Sequence, residues 1–254
     1  MLLVIDVGNS NTVVGLYEGE KLLNHWRVRT VADHTIDEYG MLILNLYRTS
    51  KVGSKTISNI IISCVVPSML NILEPLCKRY FHISPLIVGP GIRTGMPIYY
   101  DNPKEVGADR VVNAVAAHEK YPGDLIIVDF GTATTFDFVT KKGEYMGGCI
   151  SPGVMIASHA LFEKASKLPP VELSRPKSVV AKDTVSSMQA GIMFGYAGLV
   201  DGIVDRIKKE TKTEPTVIAT GGLAEVMASE TRSIDFVDEM LTLEGLRIIF
   251  LRNK

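Results

Sequence analysis

The 254-residue sequence predicts an α/β protein built from two related halves, each a mixed sheet with flanking helices. Three observations predict it. Short apolar runs at Leu2–Ile5, Asn59–Val66 and Leu125–Val128 have the length and β-branched content of buried strands. Amphipathic stretches of helical length separate them. A strand, glycine turn and strand near the N-terminus also return about half a chain later: Val4-Ile5-Asp6-Val7-Gly8-Asn9-Ser10 matches Ile127-Val128-Asp129-Phe130-Gly131-Thr132-Ala133.

In order, Leu2–Ile5 reads as a strand, Thr12–Tyr17 as a second, Glu18-Gly19-Glu20 as a hairpin turn and Leu22–Val28 as the return strand. A helix is expected over Ile36–Tyr47, a buried strand over Asn59–Val66, and a helix opened by Pro67 that runs to about Arg79. Pro85–Val88 reads as a short strand, a Gly- and Pro-containing loop follows, and Val106–Lys120 reads as a helix. The second half opens with Leu125–Val128 as a strand and Asp129–Thr132 as its turn. Thr134–Thr140 and Tyr145–Ile150 follow as strands around a Lys142-Gly143 turn. Helices are expected over Val154–Leu161, Val185–Lys209 and Ala224–Ala228, with a strand at Thr216–Ala219. The boundary falls near Tyr121-Pro122-Gly123, giving halves of residues 1–120 and 121–254.

A chain of this length buries a core without a metal or disulfide staple. The net charge of −1 argues against nucleic-acid binding, because neutralising phosphates needs a basic face. Lys141-Lys142 and Lys208-Lys209 read as a solvated turn and a solvated helix face. Cys64, Cys77 and Cys149 have no CxxC spacing and fit a reducing compartment, with Cys64 expected to be a buried thiol. Asp6 interrupts any secretory apolar segment, and no run approaches the roughly 20 apolar residues of a spanning helix. A cytoplasmic protein without membrane contact is expected. His25, His34, His82, His118 and His159 show no metal-ligand spacing, and Trp26 is expected in the core.

The chemistry concentrates in three turns. In Asp6-Val7-Gly8-Asn9-Ser10-Asn11-Thr12, Gly8 lets backbone approach a ligand, and a crowd of short polar side chains suits phosphate oxygens. Asp6, ending an apolar strand, is placed to hold Mg²⁺ directly or through water. Alone, the segment is equally a type I′ hairpin chosen for geometry. Its second copy, Asp129-Phe130-Gly131-Thr132-Ala133-Thr134-Thr135, favours a phosphate clamp. The third turn, Thr220-Gly221-Gly222-Leu223-Ala224, follows a strand and opens a helix, and its paired glycines would let a flat base lie against backbone. No GxxxxGK[ST] pattern is present, so a Walker-type site is excluded. In Val106-Gly107-Ala108-Asp109-Arg110, Asp109 is a candidate general base and Arg110 a candidate carboxylate clamp, against the alternative of a helix-surface ion pair.

The three turns resemble the phosphate and adenosine motifs of the superfamily that joins sugar and acetate kinases, heat-shock chaperones and actin. Val-Gly-Ala-Asp-Arg with Asn113 beyond it, Asp183-Thr184 through Gln189-Ala190-Gly191, and Leu241–Leu246 are together similar to type III pantothenate kinases. That resemblance implies ribonuclease-H-like halves with an ATP cleft between them. It implies transfer of the γ-phosphoryl of ATP to the primary hydroxyl of pantothenate, the first step toward coenzyme A. Asp109 would be the base, and Tyr100, Gly107, Ala108, Asp109, Arg110 and Thr184 would bind pantothenate. Asp6, Val7, Gly8, Asn9, Ser10, Asn11, Thr12, Val13 and Thr132 would hold ATP with Mg²⁺. Asp129 would sit beside a monovalent cation, K⁺ or NH₄⁺. The chain would form a homodimer in which Thr184 completes the partner's site. Val13 departs from expectation only in leaving no cationic side chain after the first turn. A sister kinase with a sugar or other carboxylate acceptor, and a nucleotide-binding regulator without turnover, are the competing readings.

Overall fold

The N-terminal apolar run becomes strand β1 (Leu2–Val7), longer than expected because Asp6 and Val7 continue its pairing. The computed structural model describes residues 1–50 and 56–254. Strand β1 pairs antiparallel with β2 (Asn11–Glu18), which pairs antiparallel with β3 (Lys21–Arg29). Helix α1 (Ile36–Thr49) begins at a capping box: Thr35 Oγ1 accepts the Glu38 N–H, and Glu38 Oε2 accepts the Thr35 N–H at 2.7 Å.

Strand β4 (Asn59–Cys64) lies parallel to β1 and is followed by helix α2 (Pro67–Leu76). The single helix expected to Arg79 changes character. Its last part, Cys77–Phe81, is a π turn closed by the His82 N–H on the Cys77 carbonyl, with His82 left-handed at φ 57°. Pro75, inside α2, donates no backbone hydrogen bond, so the regular ladder is already interrupted one residue before the helix ends. Strand β5 (Leu86–Ile87) completes the sheet in the order β3-β2-β1-β4-β5. A 3₁₀ turn at Pro103–Glu105 then leads into α3 (Ala108–Lys120), which begins two residues later than expected.

The second half repeats this plan. Strands β6 (Leu125–Phe130), β7 (Ala133–Val139) and β8 (Tyr145–Pro152) form the antiparallel arm. Helices α4 (Val154–Lys164) and α5 (Thr184–Thr211) precede β9 (Thr216–Thr220), which lies parallel to β6. After α6 (Ala224–Ala228), β10 (Phe236–Val237) pairs parallel with β9. Read from β8, this sheet runs β8-β7-β6-β9-β10, the topology of the first sheet strand for strand.

Alternation along the strands sets which side chains reach the sheet faces. Leu3, Ile5 and Val7 join Val14, Leu16, Ile60 and Ile62 in one core with α1 and α2, so Asp6 falls on the opposite face. Ile126, Val128 and Phe130 join Phe136, Val217 and Ala219 in the other core with α5, which puts Asp129 on the opposite face there.

The chain closes with α7 (Leu241–Arg252), a helix not expected from the sequence. Two compact units result. One comprises Met1–Met96, Tyr100–Ala116 and Met240–Lys254, and the other Pro97–Tyr99 and Ala117–Glu239. The expected boundary at 121 thus moves into α3, and α7 joins the unit of the N-terminal sheet. There a Cβ on Gly15 would lie 3.0 Å from Leu243, and one on Gly245 only 2.1 Å from the Val112 carbonyl.

Cys64 departs from expectation. It is only partly buried, and Cys77 is the fully enclosed thiol, pushed up to about 12 by burial and, less, by the charge of Glu74. Trp26 is partly buried and packs against the first core.

Candidate active site

The first turn is built where β1 runs into β2. Gly8 donates its N–H to the Asn11 carbonyl at 3.0 Å, closing Gly8, Asn9 and Ser10 into a tight loop. Thr30 braces it from beyond β3: its hydroxyl donates to the Gly8 carbonyl at 2.8 Å and its N–H to the Ser10 carbonyl at 3.0 Å. The side chains of Asn9, Ser10 and Asn11 are exposed. Those of Val7 and Thr12 are fully buried, and Thr12 Oγ1 is 2.9 Å from Thr30 Oγ1. Any contact these two make with a phosphate is therefore through backbone. Val13 is partly buried. Asp6 stands across from Val13 on β2 and beside Ser63 on β4. Burial first, and the nearby charge of Asp6 with it, push the Cys64 thiol up.

The second turn is one residue shorter. Asp129 and Phe130, expected in the turn, belong to β6, and only Gly131 and Thr132 remain between the strands. Gly131 donates to the Ala133 carbonyl at 3.1 Å, and Gly153 to the Thr132 carbonyl at 3.1 Å, while Thr132 itself is exposed. The sheet register equates Thr12 with Thr134 and Val13 with Thr135, whereas an ungapped match beyond the glycine pairs Ser10 with Ala133.

Asp129 lies across from Thr135 and beside Thr220, the counterparts of Val13 and Ser63 around Asp6. Gly221 has φ +93°, and a Cβ there would come within 2.5 Å of Asp129 Oδ1 and 2.8 Å of the Phe130 backbone. This glycine's bare face thus accommodates the Asp129 carboxylate. A flat ligand was the occupant expected for that face from the sequence.

Asp109 is the second residue of α3. Its Oδ1 accepts the Arg110 N–H at 2.8 Å and lies 2.5 Å from where a Cβ on Gly107 would stand. Burial pushes the Asp109 carboxyl up, against the pull of the Arg110 N–H and charge. Arg110 is only 6% exposed. An aspartate partly removed from water beside an enclosed arginine overturns the surface ion-pair alternative. Downstream, Asn113 Oδ1 accepts the Thr242 hydroxyl at 2.7 Å, which fastens α3 to α7. Tyr100 is half-buried in the segment before α3, and Ala108 is the first residue of the helix.

Thr184 opens α5, exposed, beside the N-cap Asp183. It lines a groove of about 990 Å³ with Leu161, Met188, Gly191 and Gly195. A Cβ on Gly191 or Gly195 would meet nothing within 4 Å, so this helix face is open.

The sequence family of type III pantothenate kinases matches residues 2–206. A type III pantothenate kinase from Syntrophus aciditrophicus (strain SB) is 70% identical over 253 residues, 100% of either chain. The chain belongs to the type III pantothenate kinases. Another relative of that name, from Citrifermentans bemidjiense, is 63% identical over 254 residues and again covers 100% of both chains. At the level of fold, the activator of the 2-hydroxyisocaproyl-CoA dehydratase from Clostridium difficile, solved with bound ADPNP, matches with a TM-score of 0.57 at 13% identity. That match covers 99% of this chain and 93% of the other. The two-lobed α/β fold is the one expected for the family.

Within this kinase, the structure draws Gly107, Asp109 and Arg110 into one cluster, Asp129 against Gly221, and Asp6 beside Ser63. Sequence reasoning missed Thr30 and Ser63, gave the Thr220 hydroxyl no role within the third turn, and missed the seat that Gly221 makes for Asp129. Ser63 and Thr220 carried one readable signal: each is the last hydroxyl of an apolar strand that pairs parallel with an aspartate-ending strand.

Proposed function

We propose that this pantothenate kinase moves the γ-phosphoryl group of ATP to the primary hydroxyl of pantothenate, with Asp109 as the general base. The observation that carries the reading is the Asp109 carboxylate, seated against Gly107 and next to the enclosed Arg110. Pantothenate has a carboxylate at one end and an alcohol at the other. Arg110 suits the first, because a guanidinium pairs with a carboxylate in a fixed fork. Asp109 suits the second: as the hydroxyl oxygen bonds to the γ-phosphorus and the bridging P–O bond to ADP breaks, the hydroxyl proton passes to the carboxylate. Tyr100, Gly107, Ala108 and Thr184 are read as the remainder of the acceptor site.

Each of the two glycine turns is read as an ATP-binding element. Asp6 through Val13 offer the Gly8 loop and the exposed Asn9, Ser10 and Asn11, and Thr132 offers its hydroxyl at the second turn. Asp6, a strand-end carboxylate, suits Mg²⁺, which holds to one or two carboxylates and takes its other ligands from phosphate and water. Asp129, seated on Gly221 with a buried hydroxyl beside it, suits a monovalent cation, K⁺ or NH₄⁺. These ions, when bound, neutralise charge on the phosphates. The loose transition state of phosphoryl transfer leaves the protein chiefly to position and stabilise.

We read the enzyme as a cytoplasmic homodimer. Among the described residues no helix is long and apolar enough to cross a membrane, and the three cysteines are free thiols. The open α5 face and the exposed Met155, Ile156 and Leu161 on α4 support a second copy as the occupant of the groove. Substituting Asp109→Asn tests the central assignment. Turnover is expected to fall at least about a hundredfold, within the range general bases contribute, while ATP binding by calorimetry stays intact. An unchanged kcat would remove Asp109 from the role of base.

A further inference from the structure

Among the described residues three buried hydroxyls, Ser63, Thr134 and Thr220, find no hydrogen-bond partner, and two of them stand beside a carboxylate. Ser63 is 0% exposed and Thr220 is 1% exposed, and neither side-chain oxygen finds a hydrogen-bond partner among the described residues. Leaving such a group unsatisfied is costly, and native proteins rarely do so without cause.

Their positions are equivalent. Ser63 sits on β4 beside Asp6 of β1, and Thr220 sits on β9 beside Asp129 of β6. In a parallel pair, residues in register point to the same face, so each hydroxyl stands next to a carboxylate. The duplication has kept a carboxylate and a hydroxyl together twice, although their neighbours diverged. Across from Asp6 is Val13, and across from Asp129 is Thr135, whose own hydroxyl is engaged by Asp137 Oδ2 at 3.3 Å.

We propose that Thr220 Oγ1 is an oxygen ligand for the monovalent cation assigned to Asp129, a positioning role that nothing in the motif pattern had suggested. The proposal rests on the cation reading of Asp129 given above. Adjacent strands lie about 4.8 Å apart. A carboxylate and a hydroxyl across that gap, with no hydrogen bond drawn between them, leave room for one ion to be shared. Oxygen donors of these two kinds are what hard, weakly polarising cations take. Gly221 strengthens the case, because its missing Cβ leaves the room that the Asp129 carboxylate occupies.

The test is the thermal midpoint of the full-length chain with ADP and Mg²⁺ present, titrated with K⁺ at constant ionic strength against tetramethylammonium. Wild type is expected to gain several degrees with K⁺, and Asp129→Asn to lose that gain. Thr220→Val keeps the shape and removes the oxygen. Its midpoint without K⁺ is expected to equal or exceed wild type, since an unsatisfied hydroxyl is gone, yet it should need at least tenfold more K⁺ for the same gain. Thr220→Ser should restore the response, and Thr220→Ala serves if valine does not fold. A wild-type K⁺ response in both Thr220→Val and Thr220→Ala, alongside its loss in Asp129→Asn, overturns the role of Thr220 alone. No K⁺ response in wild type overturns the Asp129 reading and this proposal together.

Discussion

At the scale of single residues, two carboxylates are seated the same way: Asp109 against Gly107 and Asp129 against Gly221. Gly107 is there for the space it leaves, and Gly221 for that space and for its positive φ of +93°. Gly107 has no left-handed backbone to protect, so Gly107→Ala is expected to fold, with an unchanged circular dichroism spectrum. Its methyl would displace the Asp109 carboxylate, and kcat is expected to fall tenfold or more, because small misplacements of a reacting group are costly. Wild-type kcat in this variant would show the seat to be incidental.

The raised Asp109 carboxyl has two consequences of definite sign. A base must be ionised, so the acid limb of the rate profile should sit above the ordinary carboxylate value of about 3.9 and activity should fall as pH is lowered through it. For stability, a carboxyl raised by folding contributes favourably below its unfolded value, and that contribution is lost as pH rises through the folded value. At neutral pH the charge is therefore a burden on the fold. Asp109→Asn should lower turnover while its thermal midpoint stays level or rises, a pairing that a merely structural aspartate would not give.

At the scale of elements, the long helix α5 is tied to the strand β10 region by one carboxylate. Asp201 Oδ1 accepts the N–H groups of Arg232 at 2.9 Å and Ser233 at 3.1 Å and the Ser233 hydroxyl at 2.8 Å, while Oδ2 accepts Arg232 Nε at 3.1 Å. Burial alone would raise this carboxyl. The hydrogen bonds from Ser233 and Arg232 outweigh it and hold the group below its usual range. Its stabilisation is present above the unfolded value of about 3.9 and is lost as pH falls through the depressed folded value. Asp201→Ala is expected to lower stability at pH 7 by about 1–3 kcal/mol, seen as a lower denaturant midpoint, with the gap to wild type closing below pH 4. A constant gap down to pH 2 would mean that lost packing, and not the charge, is responsible.

The limits of the sequence are also clearest among the elements. Helix α1 was legible because its apolar positions keep the helical period; the Thr35–Glu38 capping box that fixes its start is seen in the structure. Helix α7 was not. Met240 gives it no side-chain cap, Gly245 lies inside it, and Leu241, Leu243, Leu246, Ile248 and Ile249 bury several sides at once, which erases the periodicity. Only the tertiary contact explains Gly245, whose missing side chain lets α7 approach the α3 backbone at Val112.

At the scale of the whole molecule, the duplication read from two Asp-x-Gly segments is present in full, as two five-stranded sheets of identical strand order. The strands were visible except β10, a two-residue parallel edge strand too short to write the apolar run that marks β1, β4 and β6. Their exact ends were not, because Asp6 and Asp129 are polar residues carried inside strands for a purpose other than burial. The acceptor motif around Asp109 was legible as chemistry. The Gly221 seat and the hydroxyls of Ser63 and Thr220 depend on cross-strand register, which a linear sequence does not display.

The two compact units divide between Ala116 and Ala117, a few residues before the expected boundary near Tyr121. Tyr121, expected in the second half, donates its hydroxyl to Asp238 Oδ2 at 3.2 Å, and Lys120, expected in the first, pairs with the same carboxylate and so belongs to the second unit as well. Burial, with the charge of Asp238, pushes Tyr121 up to about 12, so this hydroxyl keeps its proton at any physiological pH.

The central claim is that this duplicated fold phosphorylates pantothenate. Release of ADP by the purified chain, coupled to a dehydrogenase, measures it directly with ATP, Mg²⁺ and pantothenate in K⁺ buffer and again in Na⁺ buffer. Pantothenate-dependent ADP release is predicted, faster in K⁺ than in Na⁺, with N-acetylglucosamine and short carboxylates giving no more than the background. ADP release indifferent to pantothenate, or driven as well by the sugar, would contradict it.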